Sequence, residues 1–183
     1  MPERSLLDIL SNTNYYTGWA DVFGPISGTD PKLENPLATY ILLPFCYGTS
    51  LGTKQTAKHI RTNIEAKTLS RDNKKHVNVN KLNQASAIIN NVTNTFPIVK
   101  GWGEGVRGAG DGTFDDIYDE NMISEHHFRY CKKGGIAYHH VADNYIAIFS
   151  TFIQCGVWEA IHIIDGLLKN ASEIQPQIIH SDT

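Results

Sequence analysis

The order of elements in the C-terminal half constrains this chain more than any other feature. A glycine-rich segment leads to Asp111, within Gly110-Asp111-Gly112-Thr113. Two apolar, strand-like runs follow, Gly135–Val141 and Tyr145–Phe152, around a turn at Ala142-Asp143-Asn144. An amphipathic helix is expected over Val157–Lys169, where Val157, Ile161, Ile164 and Leu168 form a stripe widened by Ala160 and Leu167. Pro176 separates it from a short apolar strand, Gln177–Ser181, and Asp182 comes at that strand's end. Crossovers between parallel strands are right-handed in about 98% of cases, so the helix should return the last strand beside the first and parallel to it. The chain therefore brings two distant aspartates toward one place.

Composition narrows the class. The chain has 183 residues, 41% of them apolar and 19% charged, which suits one or two globular domains with a sizeable core. The net charge of −3 gives no global sign of nucleic-acid binding. It does hide a local excess: Lys54, Lys58, Arg61, Lys67, Arg71, Lys74 and Lys75 fall within residues 54–75, and a solvated face is the ordinary reading of such a run. Cys46, Cys131 and Cys155 are too widely spaced for a zinc ribbon or a disulfide framework, so each is expected to be a small buried apolar residue. The charged start Met-Pro-Glu-Arg-Ser lacks the apolar stretch of a signal peptide, and no run approaches the ~18 apolar residues of a membrane span. No membrane partner and a cytoplasmic location are the expectation.

The first hundred residues read mostly as helices. A short one is expected over Ser5–Leu10, ending near Ser11-Asn12-Thr13-Asn14, and Phe23–Pro31 is a loop dense in breakers. Asn35-Pro36 opens a second helix until Pro44 intervenes, and a basic helix is expected around Thr53–Thr62. Over Asn80–Phe96, Leu82, Ala85, Ile88, Ile89 and Val92 share one face, Asn78 or Asn80 is the candidate cap, and Pro97 is the stop. The pattern changes near Ile98, so the division is drawn as 1–98, helical, and 99–183. Residues 100–112 hold six glycines, which implies backbone packed close to something or a mobile loop. No helix follows them, so they are no dinucleotide fingerprint.

Adjacent strands sit roughly 4.8 Å apart, so Asp111 and Asp182 come within reach of a common divalent cation. Their hard oxygens suit Mg²⁺, with Mn²⁺ as the alternative. The same dipeptides also have plain uses, since Asp-Gly is a common turn and Asp-Thr a common strand end. Other clusters read more simply. Asp115, Asp116, Asp119 and Glu120 make a solvated acidic loop inside a polar insertion, Phe114 to Lys133. In His126-His127 and His139-His140, neighbours on a strand face opposite ways, so one of each pair should pack inward and one bond outward. Trp158 and Tyr145 are expected in the core. Arg129, Lys132 and Lys133 beside Tyr130 suit either a phosphate backbone or a plain surface.

Several longer strings carry a resemblance. Gly135-Ile136-Ala137-Tyr138-His139-His140-Val141-Ala142-Asp143, Cys155-Gly156-Val157-Trp158-Glu159-Ala160, Ile164-Asp165-Gly166-Leu167-Leu168 and His180-Ser181-Asp182-Thr183 resemble the catalytic region of the transposon-three (Tn-three) family of replicative transposases. Upstream, Gly28-Thr29-Asp30-Pro31-Lys32-Leu33, Tyr47-Gly48-Thr49 and Arg71-Asp72-Asn73-Lys74-Lys75-His76-Val77 are similar to the helical region preceding it. The resemblance implies an α+β chain: a helical region followed by an incomplete RNase H-like mixed sheet of three antiparallel strands, a helix and a parallel strand. It implies a DDE-type DNA strand transferase in which Asp111 and Asp182 are the first and second catalytic, metal-holding acids, with Mg²⁺ as cofactor. Transposon-end and target DNA are the implied partners, and the intact protein is expected to form a homo-oligomer. The family's third acid, a Glu, lies beyond the part matched, as do its end-binding domains upstream. The chain is therefore expected to be an internal piece with little catalysis of its own. The contrasting reading is a non-catalytic remnant that binds DNA or an intact transposase through the helical region and basic stretch; a third is a translated fragment with no role.

Overall fold

The computed structural model describes residues 3–29, 33–60, 64–117 and 121–181. Asp182 lies outside the described residues, as do Asp30, Pro31, Lys32, Arg61, Thr62, Asp119 and Glu120. The chain divides into two compact units, Met1–Ile88 and Ile89–Thr183.

The first unit is helical. Helix α1, Leu6–Thr17, is longer than expected. Ser5 and Asp8 form a reciprocal capping box at its start. The polar residues that read as a stop are satisfied without leaving the helix: Thr13 and Thr17 donate back to the carbonyls of Ile9 and Thr13, and buried Asn14 accepts from the Ala20 amide at 2.7 Å. Helix α2, Pro36–Gly48, starts at Asn35, whose side chain accepts from the Ala38 amide. It also runs straight past Pro44. An interior proline costs about 3 kcal/mol. Burying Leu42 and Leu43 against Leu69 offsets that, at roughly 1.5–3 kcal/mol for each side chain. Helix α3, Gly52–His59, is followed by α4, Ala66–His76, which buries Leu69, Asp72 and His76. Asn78 is the residue that caps α5, Val79–Asn94, by accepting from the Lys81 amide. Helix α5 runs across the division into the second unit, where Pro97 opens a further short helix, α6, Pro97–Lys100.

The second unit carries a mixed five-stranded sheet: β1, Arg107–Asp116; β2, Glu125–His127; β3, Lys132–Ala142; β4, Ala147–Ile153; and β5, Ile178–Ser181. Strand β2 was not expected; it forms inside the polar insertion and pairs with the start of β3. Strand β3 is central. It pairs antiparallel with β1 on one edge and with β2, then β4, on the other. Strand β5 lies parallel to β1, in register Arg107↔Ile178 through Gly110↔Ser181. The glycine-rich approach to β1 is held in place: the Asp143 carboxylate in the β3–β4 turn accepts from the Gly105 and Arg107 amides.

Helix α7, Ala160–Lys169, covers one sheet face, but not with the expected stripe. Ile161, Ile164 and Leu168 are exposed, Leu168 by 80%, and so are Trp158 and Tyr145, at 75% and 76%. The reason lies in what the sheet offers. The buried His140 ring stands out from β3 and donates to or accepts from no side chain of α7; its Nε2 instead meets the Ile163 carbonyl at 3.2 Å, and the ring rests against Gly166. A helix can come that close only on a face that lacks a Cβ, so the Gly166 side turns inward and the apolar stripe outward. His139, its neighbour, points outward and bonds Ser150 at 2.8 Å, as the strand alternation requires. Cysteine placement is mixed: Cys46 is buried, Cys155 half-buried and Cys131 exposed.

Two outcomes follow for stability. Alanine is the better helix former by about 1 kcal/mol, yet a Cβ at Gly166 would sit 2.1 Å from the His140 ring, and overpacking costs about 1–3 kcal/mol. Gly166→Ala should therefore lower the denaturant midpoint rather than raise it. Burial also pushes the His140 pKa below its ordinary value, against the Ile163 carbonyl bond that raises it. The unfolded chain then takes up a proton near pH 6.5 that the folded chain resists, so stability falls as pH drops through about 6.5. Urea melts between about pH 8 and pH 5 should show this slope, and His140→Phe should flatten it.

Candidate functional site

Strand β1 alternates cleanly. Gly108 and Gly110 are buried, against Ile179 and Pro176 and against Tyr138 respectively, whereas Arg107, Ala109, Asp111 and Thr113 face solvent. Asp111 thus stands on the uncovered face, where its Oδ1 accepts from the Gly112 amide at 2.8 Å. Its cross-strand partner on β3 is His139, which continues to Ser150 on β4. On the other side, Ala109 is opposite His180 and Gly110 is opposite Ser181. The described register stops there, one residue short of Asp111 on β1 and of Asp182 on β5.

The buried side of the same strand is built to let β1 approach its neighbours. Tyr138 lies flat under Gly110, where an added Cβ would be 2.8 Å from the phenol oxygen. Burial pushes the Tyr138 phenol up from its ordinary pKa, and the negative charges of Glu159 and Asp111 add to this. Glu159, just before α7, brings its carboxylate against Gly112. Two carboxylates therefore flank the middle of β1, Asp111 on the open face and Glu159 on the covered one.

The chemistry of the donors is that of a hard cation. Asp111 offers an exposed carboxylate oxygen, which suits Mg²⁺ or Mn²⁺. Among the described residues no group of three or more His, Cys, Asp and Glu is placed to hold a metal ion. Of the two expected ligands, then, the structure describes Asp111 alone. The remaining acidic cluster is a plain surface where it is described: Asp115 and Asp116 are exposed, and Asp116 pairs with Lys132 at 3.0 Å. Arg129 lies 6.0 Å over the Tyr130 ring, which itself stacks on Phe114. No role for Glu159 or His139 beside Asp111 was read from the sequence. Each contact depends on a register between segments far apart in the chain, and no local motif signals it.

Residues 8–183 match the family described as Tn3 transposase DDE domain. The chain is 22% identical over 185 residues to the transposase for transposon Tn1546 of Enterococcus faecium, and likewise 22% identical over 185 residues to the transposase for transposon Tn3926 of Escherichia coli. Both comparisons cover 100% of this chain and 18% of the relative, so the chain spans about a fifth of the length of the curated relatives it matches. No helix among the described residues is long and apolar enough to cross a membrane.

The contact beneath Gly110 is open to test. Gly110→Ala should destabilise the second unit by about 1–3 kcal/mol. Adding Tyr138→Phe removes the nearest atom, so the double variant should be more stable than Gly110→Ala alone, by chemical denaturation.

Proposed function

The chain belongs to the Tn3 transposase DDE domain family, and from that premise we propose that it supplies the first two acids of a metal-dependent DNA strand-transfer site, Asp111 and Asp182. The observation that carries this reading is the parallel register of β5 on β1. It runs to Gly110↔Ser181, and in the sequence an aspartate follows each of those two residues. Parallel neighbours in register present their side chains to the same face, so continuing the ladder by one step sets both carboxylates on the open face of the sheet. The order of strands, helix and returning strand supports an RNase H-like sheet, with residues 99–183 as the beginning of the catalytic domain and 1–98 as the helical region before it.

In this reading Asp111 and Asp182 hold Mg²⁺, with Mn²⁺ as a working substitute. Such ions, when bound, stabilise the attacking and leaving oxygens of a phosphodiester displacement. The protein's own contribution is positional. The Asp111 carboxylate is oriented by the Gly112 amide, and Tyr138 packs beneath Gly110 on the covered side of the same strand. The substrates are transposon-end and target DNA, and the active form is a homo-oligomer of a longer protein. A site of this kind uses three acids, of which Asp111 and Asp182 would be two.

Mn²⁺ titration followed by electron paramagnetic resonance tests the proposal. Weak binding that Mg²⁺ displaces is expected, and it should weaken at least about tenfold in Asp111→Asn and in Asp182→Asn, since each removes a ligand. Equal Mn²⁺ affinity in the parent and both variants would sink it.

A further inference from the structure

The basic run of the helical unit resolves into something more definite than a solvated stretch. Helix α4 carries Lys67, Arg71, Lys74 and Lys75 at i, i+4, i+7 and i+8, which gathers them on one face. The opposite face is the buried one, Leu69, Asp72 and His76. The four basic side chains and Ser70 line a shallow concavity of about 370 Å³. The acid on this helix does little to cancel them: Asp72 is buried, and it holds the Arg71 Nε at 3.1 Å while most of the Arg71 side chain stays in solvent. Like charges at i, i+4 destabilise a helix by a few tenths of a kcal/mol each, and α4 contains two such pairs, Lys67–Arg71 and Arg71–Lys75. A polyanion laid on this face relieves that repulsion.

We propose that this face of α4 is a binding surface for the phosphate backbone of duplex DNA. From Lys67 to Lys75 the helix rises about 12 Å, comparable to the width of the major groove, and a duplex presents about seven charges over that length. Helix α4 has no aromatic residue, so it lacks the stacking platforms by which single strands and RNA are held. With a chain net charge of −3, the surface attracts DNA locally rather than through overall basicity. The choice of DNA as the polyanion rests on the transposase reading; the basic face does not.

The test is fluorescence anisotropy of the full 183-residue chain with a labelled duplex of about 30 base pairs of arbitrary sequence, in EDTA. Three phosphate contacts, from Lys67, Arg71 and Lys74, give a slope of log affinity against log salt near −2.7, or about a 40-fold loss between about 50 and 200 mM salt. The variant K67Q/R71Q/K74Q/K75Q should lose most of that slope, and Lys67→Gln or Lys74→Gln alone should each reduce it by about 0.9. The single variants keep the test valid if the fourfold one does not fold. Unchanged affinity and slope in these variants overturns the proposal, as does tighter binding of a single strand or an RNA of the same length. Because EDTA removes any metal, failure here leaves the Asp111–Asp182 site untouched. Equally, failure of the Mn²⁺ titration leaves this surface standing.

Discussion

The parallel pairing of β5 with β1 is the constraint on which the candidate site depends. Among the described residues four pairs make that ladder, Arg107↔Ile178 to Gly110↔Ser181. A slip by one residue would turn every β5 side chain to the other face of the sheet. The pairing is fixed from several directions. Asp143 ties down the amides just before and at the start of β1, and the Gln177 and Ile178 amides donate to the Val106 carbonyl where β5 begins.

The two faces of the sheet divide structure from chemistry. Beneath it, Ile136, Tyr138 and Ile153 pack with Phe114, Tyr130 and Ile163. The glycines at 110 and 166 let the aromatic and imidazole rings of Tyr138 and His140 lie against backbone. Above it, the solvent-facing side holds Asp111, His139 and Ser150 in a line across three strands. Close packing on one side is what leaves the polar groups of the other side at defined positions, since each inward residue of a strand sets its outward neighbours.

Much of this was legible in the residues. The alternation through β3 required one of His139 and His140 to face inward, and the structure makes it His140; the element order gave a strand that returns parallel to β1. Of the five α-helices through Asn94 among the described residues, four were read from the sequence, and α4, Ala66–His76, was not. The misreadings have a common cause. The stripe on α7 has helical period, but periodicity finds an apolar face without saying which face is buried, and Gly166 decided that by allowing the His140 ring to approach. Pro44 and the Ser11–Asn14 cluster carry local stop signals that tertiary burial and back-bonding threonines overrode. Tyr145 and Trp158 are apolar side chains left on the surface, a placement that composition cannot anticipate. Glu159 against Gly112 depends on a long-range approach of helix to strand that the sequence does not signal.

The central claim is that Asp111 and Asp182 share one divalent-cation site, and Fe²⁺-directed hydroxyl-radical cleavage of the backbone addresses it most directly. Fe²⁺ substituted for Mg²⁺ should cut the chain at both segments, near Asp111 and near Ser181–Asp182. Both cuts should disappear together in Asp111→Asn and be suppressed together by excess Mg²⁺. Cuts confined to one segment, or cuts near Asp182 that persist unchanged in Asp111→Asn, would contradict a shared site.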